Sequence, residues 1–165
     1  MAVFGGYNGS VYLNDLWLLR LETMSWSCIN TAGDRPSGRD SHRALLFNGL
    51  AHGRARVRGL LDSADVRSTM ACMQALGVRI EGTPEGVVVN GRSGRLVEPG
   101  DVLDCGNAGT TMRLLVGALA GQPGHFVLTG DASLRGRPMG RVVQPLRGLG
   151  ARIDGASSGD RAPLA

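Results

Sequence analysis

The fold is decided by the stretch Leu103-Asp104-Cys105-Gly106-Asn107-Ala108-Gly109-Thr110-Thr111-Met112-Arg113, where an apolar strand end meets a glycine-rich turn and then a helix. Its two glycines permit a tight turn and a close approach of the backbone to a ligand. Its asparagine and two threonines are typical helix caps. Free N–H groups at a helix start favour anions, and the arginine adds a planar guanidinium. The stretch therefore predicts an anion site; the alternative is an ordinary strand–loop–helix joint.

The residues from 41 onward predict an α/β domain with an internal repeat. Leu76-Gly77-Val78-Arg79-Ile80-Glu81-Gly82 recurs as Leu149-Gly150-Ala151-Arg152-Ile153-Asp154-Gly155, each time after an apolar helix. We expect two incomplete βαβαββ units, the first without its opening strand and the second ending at Ala165, where its last strand should begin. The predicted helices are 42–51, 64–76, 107–120 and 138–148, and the predicted strands are 54–60, 77–81, 86–89, 101–104, 125–129 and 150–154.

The first 40 residues differ in composition from the rest. Six of the seven aromatic residues lie within the first 47 positions, and the net charge is −1 over 1–40 against +5 over 41–165. The segments VFGG, YLNDLW and PSGR resemble one kelch repeat, a four-stranded propeller blade. The sequence therefore predicts a kelch-repeat-like antiparallel β segment at 1–40, followed by a separate α/β domain at 41–165.

Charge and cysteine usage restrict the kind of protein. The 165 residues carry 18 basic and 14 acidic side chains, a net charge of +4, and every basic residue is arginine. Arginine favours bidentate anion contacts, but no basic stripe with interleaved aromatic residues indicates nucleic acid. No signal peptide or membrane-spanning run is predicted. Three cysteines lie far apart without metal-type spacing, so we expect a cytoplasmic protein with free thiols and no metal.

The stretch from Leu103 to Arg113 resembles the N-terminal signature of the 5-enolpyruvylshikimate-3-phosphate synthase (3-phosphoshikimate 1-carboxyvinyltransferase) family. Residues 41–53, 56–70 and 128–155 resemble the same family in the same order. The resemblance makes 41–165 a partial synthase substrate domain. It implies transfer of an enolpyruvyl group from phosphoenolpyruvate to shikimate 3-phosphate, in aromatic amino acid biosynthesis. The implied partners are these small anionic substrates, with neither a nucleic acid nor a membrane, and no cofactor is implied.

The resemblance also implies which side chains bind substrate. They are Arg43, Asn107, Gly109, Thr110, Arg113 and Arg137. Arg43 corresponds to the arginine that contacts the shikimate substrate, Arg137 to the arginine that pairs with phosphoenolpyruvate, and the other four belong to the phosphoenolpyruvate-side loop. For the two named arginines the structural alternative is a helix start, in the second case just before Pro138 at the first helical position.

Part of the family's chemistry is not matched in this chain. The family's Lys-Ser pair is replaced by Gly38 and Arg39, and its Ser-Ser-Gln loop, catalytic Asp and catalytic Lys come after position 165. Because the reaction needs an acid for the vinyl carbon and a base for the hydroxyl, we expect no catalytic residue here and no activity from the isolated chain. Two alternatives stay open: a kelch-type module that binds a protein partner through 1–40, and a non-functional fusion.

Overall fold

The computed structural model describes residues 2–4, 16–20, 25–29, 41–60 and 62–165. The chain divides into two compact units, one formed by Met1–Leu61 with Val78–Gly94 and the other by Asp62–Gly77 with Arg95–Ala165. No helix within the described ranges is long and apolar enough to cross a membrane.

The N-terminal segment contains three short strands: β1 (Ala2–Phe4), β2 (Leu16–Arg20) and β3 (Ser25–Ile29). They form one antiparallel sheet in the order β1-β2-β3. This confirms the predicted antiparallel β segment ahead of the α/β part of the chain. The substitutions at Gly38 and Arg39 lie outside the described residues.

The α/β part of the first unit is a helix on a three-stranded sheet. Its elements are α1 (Ser41–Leu50), β4 (Arg54–Arg58), β5 (Arg79–Thr83) and β6 (Gly86–Asn90). The sheet order is β4-β6-β5, with both pairs antiparallel. Helix α1 packs on β4 and β6, and it buries Leu45 and Leu46 while Val89 is buried in the central strand. The alternation of side chains expected of a half-buried sheet is clearest in β4, where the first, third and fifth residues are exposed arginines (Arg54, Arg56 and Arg58).

The second unit surrounds a short sheet with helices. Its elements are α2 (Ala64–Ala75), β7 (Leu103–Asp104), α3 (Gly109–Leu119), β8 (Leu128–Thr129), α4 (Ala132–Arg135), α5 (Gly140–Gly148), α6 (Ala156–Gly159) and β9 (Arg161–Leu164). Strand β8 lies between β7, to which it is parallel, and β9, to which it is antiparallel. Helix α3 buries Met112, Leu115, Val116 and Leu119, the spacing of an amphipathic helix with one apolar face.

The internal repeat is visible in the backbone of both copies. Gly77 follows α2 with a φ of 85°, and Gly150 follows α5 with a φ of 98°. Each donates its N–H back into the helix, to the carbonyl oxygens of Gln74 and Arg147 respectively. This is the left-handed cap at which glycine ends a helix without strain, so the repeated Leu-Gly pair has a physical cause.

The repeat also extends to strand order. In the first repeat copy, β6 pairs with β4 on one side and with β5 on the other. In the second copy, β9 likewise pairs with β8 on one side and with the backbone at Asp154 and Gly155 on the other. Asp154 and Ala165 exchange N–H···O bonds of 2.7 and 2.8 Å. The sequence analysis expected the last strand of the second βαβαββ unit to begin at Ala165. That expectation is wrong, because β9 (Arg161–Leu164) occupies the position of this strand.

Three further predictions of elements are corrected. The predicted strand 150–154 is absent over 150–153, since the pairing with β9 ends where Asp154 faces Ala165. Helix α4 was not predicted; it is four residues long and is capped by Asp131. Helix α5 begins at Gly140, so Pro138 precedes the N-cap Met139 and is not at the first helical position. The remaining predicted helices and strands are present with shorter or shifted ends.

Candidate anion site

The loop between β7 and α3 is held in a tight turn. Gly106 has a φ of +56°, a conformation that strains any residue with a Cβ. Its N–H donates to Asp104 Oδ1 at 2.8 Å, and its carbonyl oxygen accepts the N–H of Asp131 at 2.9 Å. Gly106 is therefore held by hydrogen bonds at both its N–H and its carbonyl group, and the start of α3 lies beside the loop that follows β8.

The start of α3 is not capped as the sequence predicts. The N-cap is Ala108, and no side chain accepts a hydrogen bond from the first turn, although Asn107, Thr110 and Thr111 were expected to cap it. Thr111 is buried and its hydroxyl bonds that of Thr69 at 2.7 Å, while Thr110 is exposed. Within the part of the chain that the structure describes, the N–H groups of both threonines lack an acceptor. A helix start with free donors retains its affinity for anions.

Arg113 extends from the first turn of α3 across to the segment before α5. Its Nη1 donates to the carbonyl oxygen of Gly109 at 3.2 Å, and its Nη2 donates to that of Pro138 at 3.2 Å. Both acceptors are neutral, so the guanidinium is oriented without losing its charge to a carboxylate.

Arg137 reaches the same place from the other side. Its Nη1 donates to the backbone oxygen of Asn107 at 3.3 Å, and its Nη2 donates to Asn107 Oδ1 and to Ser133 Oγ. The helix-start alternative does not describe these contacts, because the side chain faces the β7–α3 loop and not the first turn of α5.

The two guanidinium groups meet at Gly109. A Cβ built on that glycine would lie 2.9 Å from Arg113 Nη1 and 3.0 Å from Arg137 Nη1. The predicted residues Asn107, Gly109, Thr110, Arg113 and Arg137 are thus brought together in one unit. A single oxyanion beside Gly109 could accept hydrogen bonds from both guanidinium groups and from the helix start.

Arg43 is the predicted site residue that belongs to the other unit. It lies on α1 and is exposed. The prediction that it binds the shikimate substrate therefore stays a prediction.

Sequence reasoning missed Asp131. Its Oδ2 accepts from Asn107 Nδ2 at 2.7 Å, and its Oδ1 accepts the N–H of Leu134 at 2.7 Å. The bond from the Leu134 N–H, then the bond from Asn107, hold the pKa of this carboxyl below its usual value, and the positive charge of Arg137 adds to the effect. The available signal was Asp131-Ala132-Ser133-Leu134, which has the pattern of a capped helix start.

The sequence also gave no sign that Cys72 and Cys105 are neighbours. Both thiols are buried and reduced, and the Cys72 thiol donates to the carbonyl oxygen of Asp104 at 3.4 Å. The hydrogen bond with Cys72, and then burial, raises the pKa of Cys105. The same bond lowers the pKa of Cys72, so two buried thiols bonded to each other pack against the turn that carries the site. Among the described residues, no group of three or more His, Cys, Asp or Glu could hold a metal ion.

Comparison with known proteins places these features in a family. The family model for EPSP synthase (3-phosphoshikimate 1-carboxyvinyltransferase) matches residues 32–165. The 3-phosphoshikimate 1-carboxyvinyltransferase of Herpetosiphon aurantiacus is 56% identical over 137 residues, covering 82% of this chain and 31% of the relative. That of Gloeobacter violaceus is 57% identical over 141 residues, covering 83% and 32%.

Solved structures agree. An EPSP synthase from Acinetobacter baumannii superposes with a TM-score of 0.71 at 40% identity, covering 75% of this chain and 29% of that one. A second structure of the enzyme from this organism gives a TM-score of 0.73 at 39% identity, covering 78% and 30%. This chain therefore spans about a third of the length of the relatives it matches. Since the matched range includes the Gly109 loop, both arginines and both repeat copies, the chain belongs to the EPSP synthase family.

Proposed function

We propose that the second unit binds the phosphate or carboxylate group of phosphoenolpyruvate between Arg113, Arg137 and the start of α3. The observation that carries the proposal is how these two guanidinium groups are held. Within the described ranges neither forms a salt bridge, and each is held by carbonyl, amide or hydroxyl oxygens. By contrast, Arg58 and Arg79 each pair with a glutamate. Charge that is oriented but not neutralised is what binding an anionic substrate requires.

We propose further that the chain serves carboxyvinyl transfer from phosphoenolpyruvate to shikimate 3-phosphate, the activity named for the relatives. In that reaction the chain's own residues would bind and orient. Arg113 and Arg137 would hold the anionic group of phosphoenolpyruvate, Asn107, Gly109 and Thr110 would form the wall of its site, and Arg43 would contact shikimate 3-phosphate. Positioning and charge stabilisation of this kind lower the barrier even where proton transfer is supplied from other residues.

The proposal includes inactivity of the isolated chain. The transfer needs an acid and a base, and the family's catalytic Asp and Lys are not matched in this chain. Steady-state formation of the carboxyvinyl product by the pure chain would refute this part. A cytoplasmic location is proposed as well, supported by the two free thiols of Cys72 and Cys105.

The binding proposal is tested by titrating the chain with phosphoenolpyruvate and with inorganic phosphate, by calorimetry and thermal melts. We expect Arg113→Gln and Arg137→Gln each to weaken binding, because each removes a charge that faces Gly109. Arg152→Gln is the matched control, since it removes one exposed arginine elsewhere in the same unit. Equal loss in all three variants would indicate a general charge effect and would refute the site.

The kelch-type interaction module stays a prediction. Strands β1, β2 and β3 form a three-stranded antiparallel sheet, whereas a kelch blade has four strands, and the family model that matches from residue 32 gives this alternative no support.

A further inference from the structure

The carboxylate of Asp131 is placed where it controls the anion site without belonging to it. We propose that Asp131 is a positioning residue: it fixes the side-chain amide of Asn107, and through that amide the guanidinium of Arg137. This inference rests on the proposed function of the site. It assigns Asn107 a different role from the one the family resemblance implies, a link between two charged groups in place of a direct contact with substrate.

The first step of the argument is the orientation of the Asn107 amide. An amide has a donor end and an acceptor end. Its Nδ2 donates to Asp131 Oδ2 at 2.7 Å, and its Oδ1 accepts from Arg137 Nη2. The opposite orientation would set a carbonyl oxygen against a carboxylate and an amino group against a guanidinium, so both contacts would become repulsive. The carboxylate therefore decides which end of the amide faces Arg137.

The second step is that Asp131 is itself fixed. Its Oδ1 accepts the N–H of Leu134 at 2.7 Å, as the N-cap of α4, and its own N–H donates to the carbonyl oxygen of Gly106 at 2.9 Å. The β8–α4 loop and the β7–α3 loop are thus joined by backbone and side chain together. Arg137 receives its position from this joint, through two bonds to Asn107 and one to Ser133 Oγ in α4, the helix that Asp131 caps.

The third step sets two effects of Asp131 against each other. As a negative charge beside an anion site, it should weaken anion binding; as a positioning group, it should strengthen it. The carboxylate is exposed, so salt and water screen its direct repulsion, whereas the hydrogen bonds act at contact distance. We therefore expect positioning to be the larger effect, and the two effects predict opposite signs for its removal.

The variant that separates them is Asp131→Ser. Serine is an equally good N-cap, so α4 keeps its cap, but its shorter side chain cannot reach Asn107 Nδ2. Asp101→Ser is the matched control, because Asp101 is an exposed aspartate of the same unit whose side chain, in the part of the chain that the structure describes, bonds just the N–H of its neighbour Val102. Both variants remove one negative charge.

The full chain and both variants are titrated with inorganic phosphate and with phosphoenolpyruvate by calorimetry. We expect Asp131→Ser to weaken binding about tenfold, the size of one lost hydrogen bond to a charged group, while Asp101→Ser leaves binding unchanged or slightly tighter. Unchanged or tighter binding by Asp131→Ser would overturn the inference. A wild-type chain that binds neither anion would refute the proposed site itself, and with it any positioning of a ligand.

A spectroscopic readout distinguishes positioning from a general loss of structure. In ¹⁵N–¹H spectra of the unliganded chain, the side-chain amide of Asn107 and the Nε–H of Arg137 should shift in Asp131→Ser. The Nε–H of Arg113 should not shift, because among the described residues this side chain bonds Gly109 and Pro138 and neither Asn107 nor Asp131. Shifts of all three signals would show a general structural disturbance and would overturn the inference, as would the absence of a shift at Asn107.

Discussion

Replacing Gly109 by alanine tests the geometry of the site against the ordinary behaviour of a glycine in a helix. Gly109 and Gly117 both lie in α3, and neither has a positive φ. Gly117 is exposed and Gly109 is buried. Alanine in place of a helical glycine stabilises a protein by about 0.4–1 kcal/mol where the new methyl group meets no neighbour. At Gly117 a new Cβ meets nothing within 4 Å, so we expect this gain undiminished and a rise in melting temperature of about 1–4 °C.

At Gly109 the same methyl group would lie 2.9 and 3.0 Å from the Nη1 atoms of Arg113 and Arg137. Both are ends of flexible side chains, so they move aside, and each loses one hydrogen bond of 3.2 or 3.3 Å. Two partly exposed bonds cost about 0.5 kcal/mol each at the low end of the usual range, which cancels the gain in the helix. We expect Gly109→Ala to melt close to wild type.

Anion binding should separate the two variants more strongly. Displacing both guanidinium groups should weaken phosphate binding about tenfold, which corresponds to about 1.4 kcal/mol, while Gly117→Ala should bind as wild type does. The assay is calorimetric titration with phosphate beside thermal melts of the three proteins. If Gly109→Ala were stabilised as much as Gly117→Ala and bound phosphate equally well, the two arginines would not converge on this glycine and the reasoning would be refuted.

Three further outcomes are expected. Gly106→Ala should lose about 1–2 kcal/mol of stability in denaturant melts, because its φ is +56° and a Cβ would lie 2.8 Å from Ser68 Oγ; wild-type stability would contradict the turn. Thr69→Val should lower the free energy of unfolding more than Thr111→Val does, because it leaves the buried Thr111 hydroxyl without its acceptor. A double-mutant cycle of the two threonines should show a coupling of about 1 kcal/mol, and strictly additive effects would contradict the bond between them. The fold lowers the pKa of Asp131 from its ordinary 3.8. The ionised carboxylate therefore stabilises the fold above that pH, and this stabilisation is lost as pH falls through the lower folded-state pKa. The difference in melting temperature between wild type and Asp131→Asn should shrink only at such acid pH, and a difference that disappears near neutral pH would exclude this carboxyl as its cause.

Local patterns in the sequence predicted the elements well. The apolar spacing of α3 and the repeated Leu-Gly pairs after α2 and α5 depend on residues within one or two turns of one another. Such features could be predicted because their physical causes lie within a few residues of sequence.

The predictions of capping at α3 were wrong for a reason that local sequence does not contain. Asn107 is a good cap by type, but its side chain is occupied by Asp131 and Arg137, which lie 24 and 30 residues further along the chain. Thr111 bonds Thr69, which lies 42 residues earlier. Side chains that are distant in sequence but adjacent in the fold thus take up the groups that would otherwise cap the helix. Such pairs cannot be recognised from local sequence.

Arg113 and Arg137 were predicted to belong to one site, and the structure places their guanidinium groups side by side at Gly109. That Arg137 pairs with phosphoenolpyruvate stays a prediction. What the sequence could not predict is how the guanidinium is held. A carboxylate bonded directly to Arg137 would orient it firmly but would also compete with an anionic substrate for the same charge.

The amide of Asn107 resolves this conflict between orientation and charge. It accepts from the guanidinium of Arg137 at one end and donates to the carboxylate of Asp131 at the other, so the carboxylate orients the cation while a neutral group separates the two. Direct contact with the carboxylate would make an ion pair and reduce the pull of Arg137 on an oxyanion. An aspartate or glutamate at position 107 should therefore abolish phosphate binding even if it kept Arg137 in place, whereas a smaller neutral residue should only loosen it. Phosphate titration of Asn107→Asp beside Asn107→Ser tests this ordering, and equal weakening by both variants would contradict the separation of the two charges by the amide.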